Sequence, residues 1–270
     1  MKCRPSRLQW EASINADTVG RADLHIHTAH GDGMAQVPEL LDYVEAETDL
    51  DVIAITEHDD VRWALQAREV WARGNYRFEL VTGVEVTAIE GHLIALYVEE
   101  PLPSLRPLAE VIEAVHRQGG LCIIPHPMSW MTRSLGRRAI QRICGDRRDG
   151  VCFDGIETAN QTPAARVSAR RAAELNRRMF NLAEVGGSDA HFLPVIGSAY
   201  TEFPGRTAQD LRRALGERTT RGVSGVYPSL RQIGLGQVLR QTWRGINVTP
   251  RTMGWRRTAG SFIQRMLHHG

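Results

Sequence analysis

Between residues 21 and 203 the sequence alternates short apolar, β-branched runs with stretches of helical periodicity, and this alternation limits the folds that the chain can adopt. The apolar runs predict seven strands, at Ala22–Thr28, Val52–Glu57, Leu80–Thr87, Leu93–Val98, Leu121–Pro125, Gly155–Thr158 and Leu182–Gly186. Strands that alternate with helices favour an α/β fold with mostly parallel strands. The 270 residues are enough for an α/β barrel of about 250 residues.

Polar residues and prolines predict where three of the connecting helices begin. Ser104 is a candidate N-cap for the apolar pattern that runs to Val115, and Thr162 with Pro163 is a candidate start for the alanine-rich stretch 164–179. Thr207 is a candidate N-cap for a further short helix through Leu215.

Histidines and carboxylates gather where the predicted strands end. His25 and His27 stand at positions i and i+2 of the first strand, so their imidazoles face the same side. Similar positions at other strand ends are held by His58, Glu85, His92, His126, Asp189 and His191, and Asp32 follows the first strand closely. In a parallel α/β barrel the carboxyl ends of the strands form the edge at which active sites are built.

Neutral imidazole and carboxylate together are ligands for zinc, manganese or iron. Six histidines and three carboxylates exceed what one tetrahedral ion needs. The sequence therefore predicts a site for several metal ions.

The motifs that carry these residues are Asp23-Leu24-His25-Ile26-His27-Thr28, Thr56-Glu57-His58-Asp59, Gly83-Val84-Glu85, Pro125-His126-Pro127 and Ser188-Asp189-Ala190-His191. In this order they resemble the motifs of the PHP (polymerase and histidinol phosphatase) superfamily, and the resemblance covers about residues 21–203. It implies a distorted (β/α)7 TIM-like barrel that holds up to three metal ions.

The resemblance also implies how the ligands divide among the ions. One ion would be held by His25, His27, Glu85 and Asp189; Glu85 would bridge to a second ion with His92 and His126; the third would be held by Asp32, His58 and His191. Two positions depart from the family pattern. Asp32 stands where some members have histidine, which bears on the preferred metal, and Glu57 replaces the commoner aspartate, where we expect it to support the ligands from behind.

These observations predict a metal-dependent phosphoesterase. Two or three divalent ions (zinc, manganese or iron) would activate a hydroxide for attack on a phosphate ester, the substrate being a small phosphorylated metabolite or a nucleotide. The resemblance also allows phosphotyrosine on a protein or the end of a nucleic acid as substrate.

Two alternatives remain open from the sequence. An amidohydrolase-type C–N hydrolase shares the His-x-His strand and the final aspartate, but many such enzymes bridge two metals through a carboxylated lysine, and Lys2 is the only lysine here. A metal-binding regulatory module without turnover is the second alternative. Loss of ligands would mark such a module, whereas all nine positions hold competent ligands.

Three further residues are candidates for contact with the substrate. His30 lies close to the first motif and is a candidate proton donor or substrate contact. Arg133 and Arg137, next to Arg138, follow the His126 turn and could bind a phosphate through their guanidinium groups. A solvated helix face explains these arginines equally well.

Charge divides the chain into unequal parts. Residues 221–270 contain eight arginines and no acidic residue, which leaves a net charge of −6 for residues 1–220. We therefore expect a lead-in at 1–20, a metallohydrolase barrel at 21–220, and a basic C-terminal extension at 221–270 that could contact nucleic acid. The sequence has no apolar run long enough to span a membrane, and its four cysteines form no C-x-x-C pair. We therefore expect a cytoplasmic protein. The sequence carries no signal for an oligomeric state.

Overall fold

The computed structural model describes residues 19–130, 132–146, 148 and 150–247, and within these residues nine strands form one sheet. The strands are β1 (Val19–Ile26), β2 (Val52–Ile55), β3 (Glu79–Thr87), β4 (His92–Leu96), β5 (Leu121–Ile124), β6 (Gly155–Ala159), β7 (Ala183–Gly186), β8 (Ala199–Pro204) and β9 (Arg221–Ser224). The helices are α1 (Val37–Glu47), α2 (Arg62–Arg73), α3 (Leu108–Arg117), α4 (Arg137–Cys144), α5 (Arg166–Leu175), α6 (Ala208–Glu217), α7 (Leu230–Ile233) and α8 (Leu235–Asn247). A π-helical turn, Asn176–Phe180, extends α5.

The strand order is β7-β6-β5-β4-β3-β2-β1-β8-β9. Parallel pairing joins β1 to β2, β2 to β3, β5 to β6 and β6 to β7, whereas β4 runs antiparallel to both β3 and β5. β8 pairs antiparallel with β1, and β9 pairs antiparallel with β8. The carboxyl ends of β1, β2, β3, β5, β6 and β7 and the amino end of β4 consequently lie at one edge.

The sheet curves until its ends nearly meet. The backbone N–H of His27 donates to Ala190 O at 2.9 Å, which brings the end of β1 to the segment after β7. The Thr201 hydroxyl of β8 donates to Gly186 O at 2.9 Å and accepts from Gly186 N. These contacts give a barrel-like, mixed α/β fold, as the sequence predicts.

Apolar side chains from facing strands fill the interior of the barrel. Leu24, Val52, Val81, Ile94 and further residues of β5, β7 and β8 form one buried cluster, which Leu211 and Leu215 of α6 join. Ala208 N, at the start of α6, donates to the Glu79 carboxylate at the beginning of β3 at 2.6 Å. Helix α6 therefore lies at the amino end of the parallel strands, opposite the edge that carries the histidines.

The structure differs from the sequence expectations in the arrangement of the strands and in the first residues of two helices. The sevenfold βα repeat is not regular, because β4 follows β3 through a turn without a helix and runs antiparallel, and β8 and β9 were not predicted. Helix α3 begins after Pro107 rather than at a Ser104 cap, and α5 begins at Arg166, so neither Thr162 nor Pro163 is its first residue. Thr207 caps α6 as predicted, accepting from Asp210 N at 3.1 Å.

The alternation that puts His25 and His27 on one side of the first strand would put Leu24 and Ile26 together on the other side. Both are buried, but Leu24 belongs to the barrel interior and Ile26 to a cluster with α1 and α2 residues, because the pairing of β1 with β2 shifts register between Asp23 and Ile26. The bulge turns His25 and His27 toward the same point while keeping both neighbours packed.

Residues beyond 220 contribute to this body. β9 adds a strand at the sheet edge, and Ile233 and Val238 pack against the cluster that contains α1 and α2 residues. The lead-in residues 1–18 and the part of the basic extension from 248 to 270 lie outside the described residues. Among the described helices, none combines the length and apolar character needed to cross a bilayer.

Candidate metal centre

The nine side chains proposed as metal ligands converge at the edge formed by the strand ends. His25, His27, Asp32, His58, Glu85, His92 and His126 are all buried, and Asp189 and His191 are partly buried beside them. They form overlapping groups of three whose ligand atoms lie within 4.8 Å of one another, among them His25–His27–Glu85, His27–Asp32–His58, His58–Glu85–His92 and His27–Asp189–His191.

Four ligand atoms, from His25, His27, Glu85 and Asp189, surround one candidate metal position. Nε2 of His25 and Nε2 of His27 each lie 3.4 Å from Glu85 Oε2 and 3.5 Å from Asp189 Oδ1. In a tetrahedral zinc site with bonds of about 2.1 Å, neighbouring ligand atoms are about 3.4 Å apart. The spacing of these four atoms therefore matches the edges of a tetrahedral site.

Glu85 occupies the middle of the cluster. Its Oε1 lies 2.8 Å from His92 Nδ1 and 3.0 Å from His126 Nε2, and its Oε2 lies 3.3 Å from His58 Nδ1. A carboxylate whose two oxygens face different histidines has the arrangement of a bridging ligand.

Asp32 organises a second side of the cluster. His191 Nε2 lies 3.2 Å from Asp32 Oδ1, and His58 Nε2 lies 3.9 Å from Asp32 Oδ2. The ring of His27 stacks on that of His191, with centroids 4.4 Å apart. Asp32, His58 and His191, which the resemblance assigns to one ion, thus lie together.

The far nitrogen of three histidines is held by an oxygen. His25 Nδ1 lies 2.8 Å from Glu157 Oε1, His126 Nδ1 lies 2.8 Å from Ser134 Oγ, and His191 Nδ1 lies 3.0 Å from Asp189 O. When a metal ion is bound, such a bond would keep the proton on Nδ1 and leave the lone pair of Nε2 for the ion.

Glu157 was not singled out from the sequence. It is buried on β6, and its second oxygen accepts from His126 N at 2.6 Å and from Asn160 Nδ2 at 3.1 Å. Its signal in the sequence is an acidic residue inside the apolar run Gly155–Thr158. Glu57, expected behind the ligands, is buried there and accepts from the Thr28 hydroxyl at 2.5 Å.

The histidines and carboxylates of the cluster shift one another's pKa values. Burial would lower the pKa of His25, but the carboxylates of Asp189, Glu157 and Glu85 raise it well above its usual value. Burial would raise the pKa of Glu85, yet the histidines around it hold that pKa well below its usual value. The first shift favours a charged imidazole beside these carboxylates, and the second keeps Glu85 ionised at neutral pH, the form in which a carboxylate binds cations.

Buried negative charge needs a compensating cation. Asp23, Asp32, Glu57, Glu85 and Glu157 are all buried, and no arginine or lysine side chain is buried in the part of the chain that the structure describes. The ring atoms His25 Nε2, His27 Nε2, His58 Nδ1 and His92 Nε2 are buried without a hydrogen-bond partner there. Unpaired imidazole nitrogens next to ionised carboxylates fit divalent metal ions.

The backbone at this edge adopts unusual conformations. His126 has φ 28° and Asp189 has φ 53°, both in the left-handed region that costs a side chain energy. Asp23 holds the second of these segments, accepting from Ser188 N at 3.0 Å and from Gly197 N at 2.9 Å. Burial raises the pKa of Asp23 to about 6, although these hydrogen bonds lower it. The aspartate of the first motif thus fixes the loop that carries Asp189.

The three residues proposed to contact substrate lie at different depths. His30 is partly buried, and its ring stacks on Trp63 with centroids 4.2 Å apart. Arg133 is exposed; its carbonyl accepts from His92 N at 2.7 Å, and its guanidinium donates to Ala88 O at 3.3 Å. The exposed Arg137 begins α4, with Nη2 3.6 Å from Met179 Sδ.

The C-terminal segment reaches the same edge. Arg244 of α8 donates from Nη2 to Ala29 O at 2.6 Å and to Gly31 O at 2.8 Å, which fixes the loop between His27 and Asp32. Burial and the charge of Asp189 raise the pKa of Tyr227, which places its phenol in the field of that carboxylate. From the sequence, both residues were assigned to the basic extension. No local pattern indicates that they lie near the candidate metal centre.

Comparison with known proteins agrees with the motifs. A family described as PHP-associated matches residues 167–220. An uncharacterized protein of Methanocaldococcus jannaschii is 31% identical over 150 residues, which cover 52% of this chain and 81% of that protein. The 5'-3' exoribonuclease Rnm of Salmonella typhimurium is 33% identical over 104 residues, which cover 37% of this chain and only 35% of that enzyme.

The fold has solved relatives. A two-domain protein of Bacteroides vulgatus, described as containing a predicted PHP-like metal-dependent phosphoesterase, matches 84% of this chain and 70% of its own with a TM-score of 0.61 and 21% identity. At that identity the likeness concerns the fold.

Proposed function

The chain belongs to the PHP (polymerase and histidinol phosphatase) superfamily, and we propose that it is a metal-dependent phosphoesterase. The proposed substrate is a phosphate ester of a nucleotide or of another small phosphorylated metabolite. The spacing of His25 Nε2, His27 Nε2, Glu85 Oε2 and Asp189 Oδ1, at 3.4–3.5 Å across the group, is the observation that carries the proposal.

We propose the ligand division implied by the motifs. His25, His27, Glu85 and Asp189 would hold one ion, Glu85 with His92 and His126 a second, and Asp32, His58 and His191 a third. Two or three divalent ions (zinc, manganese or iron) would supply Lewis-acid activation of water and stabilise charge on the phosphoryl oxygens.

The protein's own groups would prepare this site. Glu157 holds His25, and Ser134 holds His126, so that each ring keeps its orientation without reorganisation during turnover. His30 would contact the substrate or donate a proton to the leaving group. Arg133, whose carbonyl is bonded to His92, would bind a phosphate oxygen, and Arg137 would do so further from the metals.

A nucleotide or nucleic-acid ester is supported by the relative that acts as a 5'-3' exoribonuclease. Two rival functions make different predictions. A C–N hydrolase would release no phosphate, and a regulatory module would bind metal without turnover.

The test is purification without chelator, elemental analysis, and phosphate release from phosphomonoesters and oligonucleotides with manganese, zinc or iron. We expect two or three ions per chain and metal-dependent release. Glu85→Gln and Asp189→Asn should abolish release, whereas Glu217→Gln, an exposed carboxylate on α6 at the opposite end of the barrel, should not. A metal-loaded protein that releases no phosphate from any ester would contradict the proposal.

A further inference from the structure

Exposed arginines lie along α5 and on the π-helical turn that extends it. Arg166, Arg170, Arg171 and Arg177 are exposed, and none has a carboxylate within ion-pair distance among the described residues. Elsewhere many exposed arginines do have one, as Arg106 has Glu110 at 2.8 Å and Arg206 has Asp51 at 3.0 Å. We call these four residues the arginine row.

The excess of positive charge extends beyond the row. From Trp130 to Phe180 the sequence has eleven arginines against five acidic residues, one of which is the buried Glu157. Arg137 of α4 reaches Met179 at the end of the π-helical turn, so α4 adds to the positive charge near that turn. Clustered like charges repel one another, and an anionic ligand removes that cost.

The row begins next to the candidate metal centre. Ser129 N donates to His126 O at 3.3 Å, and the Ser129 hydroxyl donates to Ala164 O at 2.8 Å, two residues before α5 begins. β6 delivers Glu157 to the centre and then leads into α5. An anion lying along α5 would therefore have one end near the metal ligands.

An exposed aromatic ring stands at that junction. Trp130, next to Ser129, is 84% exposed, and Val167 in the first turn of α5 is 73% exposed. An indole left in water at the start of a positive surface is the arrangement with which proteins hold single-stranded nucleic acid, through base stacking and phosphate contacts.

We propose that Trp130 and the arginine row bind a single-stranded nucleic acid whose end enters the metal centre. The inference rests on the proposed function, because it assigns the phosphate ester at the metals to a polynucleotide. The ten residues of α5 span about 15 Å, more than a single phosphate group would need. Bases free of a duplex are the ones that Trp130 could stack on.

Fluorescence anisotropy with a 12-nucleotide single-stranded RNA, labelled at its 3' end, tests the surface. Titrations between 50 and 200 mM salt are restricted to times at which a gel shows intact RNA. For R166Q/R170Q we expect binding at least tenfold weaker and a log–log salt slope smaller by about 1.4, because each phosphate contact contributes about 0.7. Trp130→Ala should weaken binding about tenfold with an unchanged slope.

Arg117→Gln is the matched control. Arg117 is an exposed arginine at the end of α3, just before β5 begins, and so lies at the end of the barrel opposite the metal centre. Its replacement should leave binding unchanged. Equal RNA affinity in R166Q/R170Q, Trp130→Ala and the wild type would overturn the proposal, as would binding to phosphatidylserine vesicles without binding to RNA.

Hydrolysis of p-nitrophenyl phosphate separates this proposal from the proposed function. The surface variants should hydrolyse this small ester at the wild-type rate, since they leave the metal ligands intact. RNA binding that depends on the row, in a protein without phosphoesterase activity, would refute the proposed function and leave the surface standing. Hydrolysis with RNA binding independent of the row would do the reverse.

Discussion

Replacing Glu157 by glutamine tests whether the centre depends on the orientation of His25. The amide oxygen of glutamine can take the place of Oε2 and keep the bonds from His126 N and Asn160 Nδ2. Its NH2 group then faces His25 Nδ1, 2.8 Å away in the wild type. Two donors cannot bond, so the neutral imidazole moves its proton to Nε2, the nitrogen that faces Glu85 and Asp189.

The expected cost follows from that change of tautomer. A ligand whose lone pair must be restored before it binds metal loses about 10- to 100-fold in affinity, or about 1.4–2.7 kcal/mol. Competition with a chromophoric chelator measures the metal affinity, and urea unfolding measures stability of the metal-free protein. Asn176→Ala is the control, since it removes a buried side chain bonded to Leu182, away from the cluster.

We expect the control to lose stability while its metal affinity stays at the wild-type value. Glu157→Gln should lose metal affinity by the factor given above. Affinity within twofold of the wild type in Glu157→Gln would show that the carboxylate does not orient His25 for metal binding, and the reasoning would be wrong.

Three further substitutions probe the same structure. Gly187→Ala would place a Cβ 2.5 Å from Glu157 Oε1, so we expect a stability loss of about 1–3 kcal/mol in urea unfolding and weaker metal binding in chelator competition. Wild-type stability and wild-type metal affinity would contradict this close packing. Arg244→Gln should release the loop between His27 and Asp32, seen as faster amide hydrogen exchange at residues 29–31 and lower metal content, and unchanged exchange would refute the clamp. A hydrogen bond to Asp154 raises the pKa of His116, so the charged His116 stabilises the fold fully below about pH 6.5, and this stabilisation is lost as pH rises through the raised pKa. The free energy of unfolding of His116→Gln should therefore differ less from that of the wild type at high pH than at low pH. A difference that does not change with pH would exclude this linkage.

The nine residues that gather at the candidate metal centre could be predicted from the sequence because most of them lie next to the end of a buried run. His25 and His27 share a strand, and His58, His126 and Asp189 each follow one, so local patterns were enough to bring them to one edge. Glu157 was missed because an acidic residue inside an apolar strand does not by itself indicate what it contacts, and its role depends on His25, 132 positions earlier.

Other features depend on contacts that no local pattern encodes. The Arg244 contacts with Ala29 and Gly31 span more than 200 positions. β4 was predicted as a strand, but its direction follows from the short turn after β3. β9, of which no residue is fully buried, has little of the apolar character by which strands are recognised.

The closure of the barrel through β1 has a consequence for synthesis on the ribosome. β1 emerges before one of its two partners, β8, and before the Ser188 and Gly197 amides that hold Asp23, all of which follow 160 or more positions later. Until then β1 is an exposed edge strand, open to pairing with another nascent chain. We expect chaperone contact with β1 to end only once residues 186–204 have left the exit tunnel, by which point all nine residues of the candidate metal centre have also emerged.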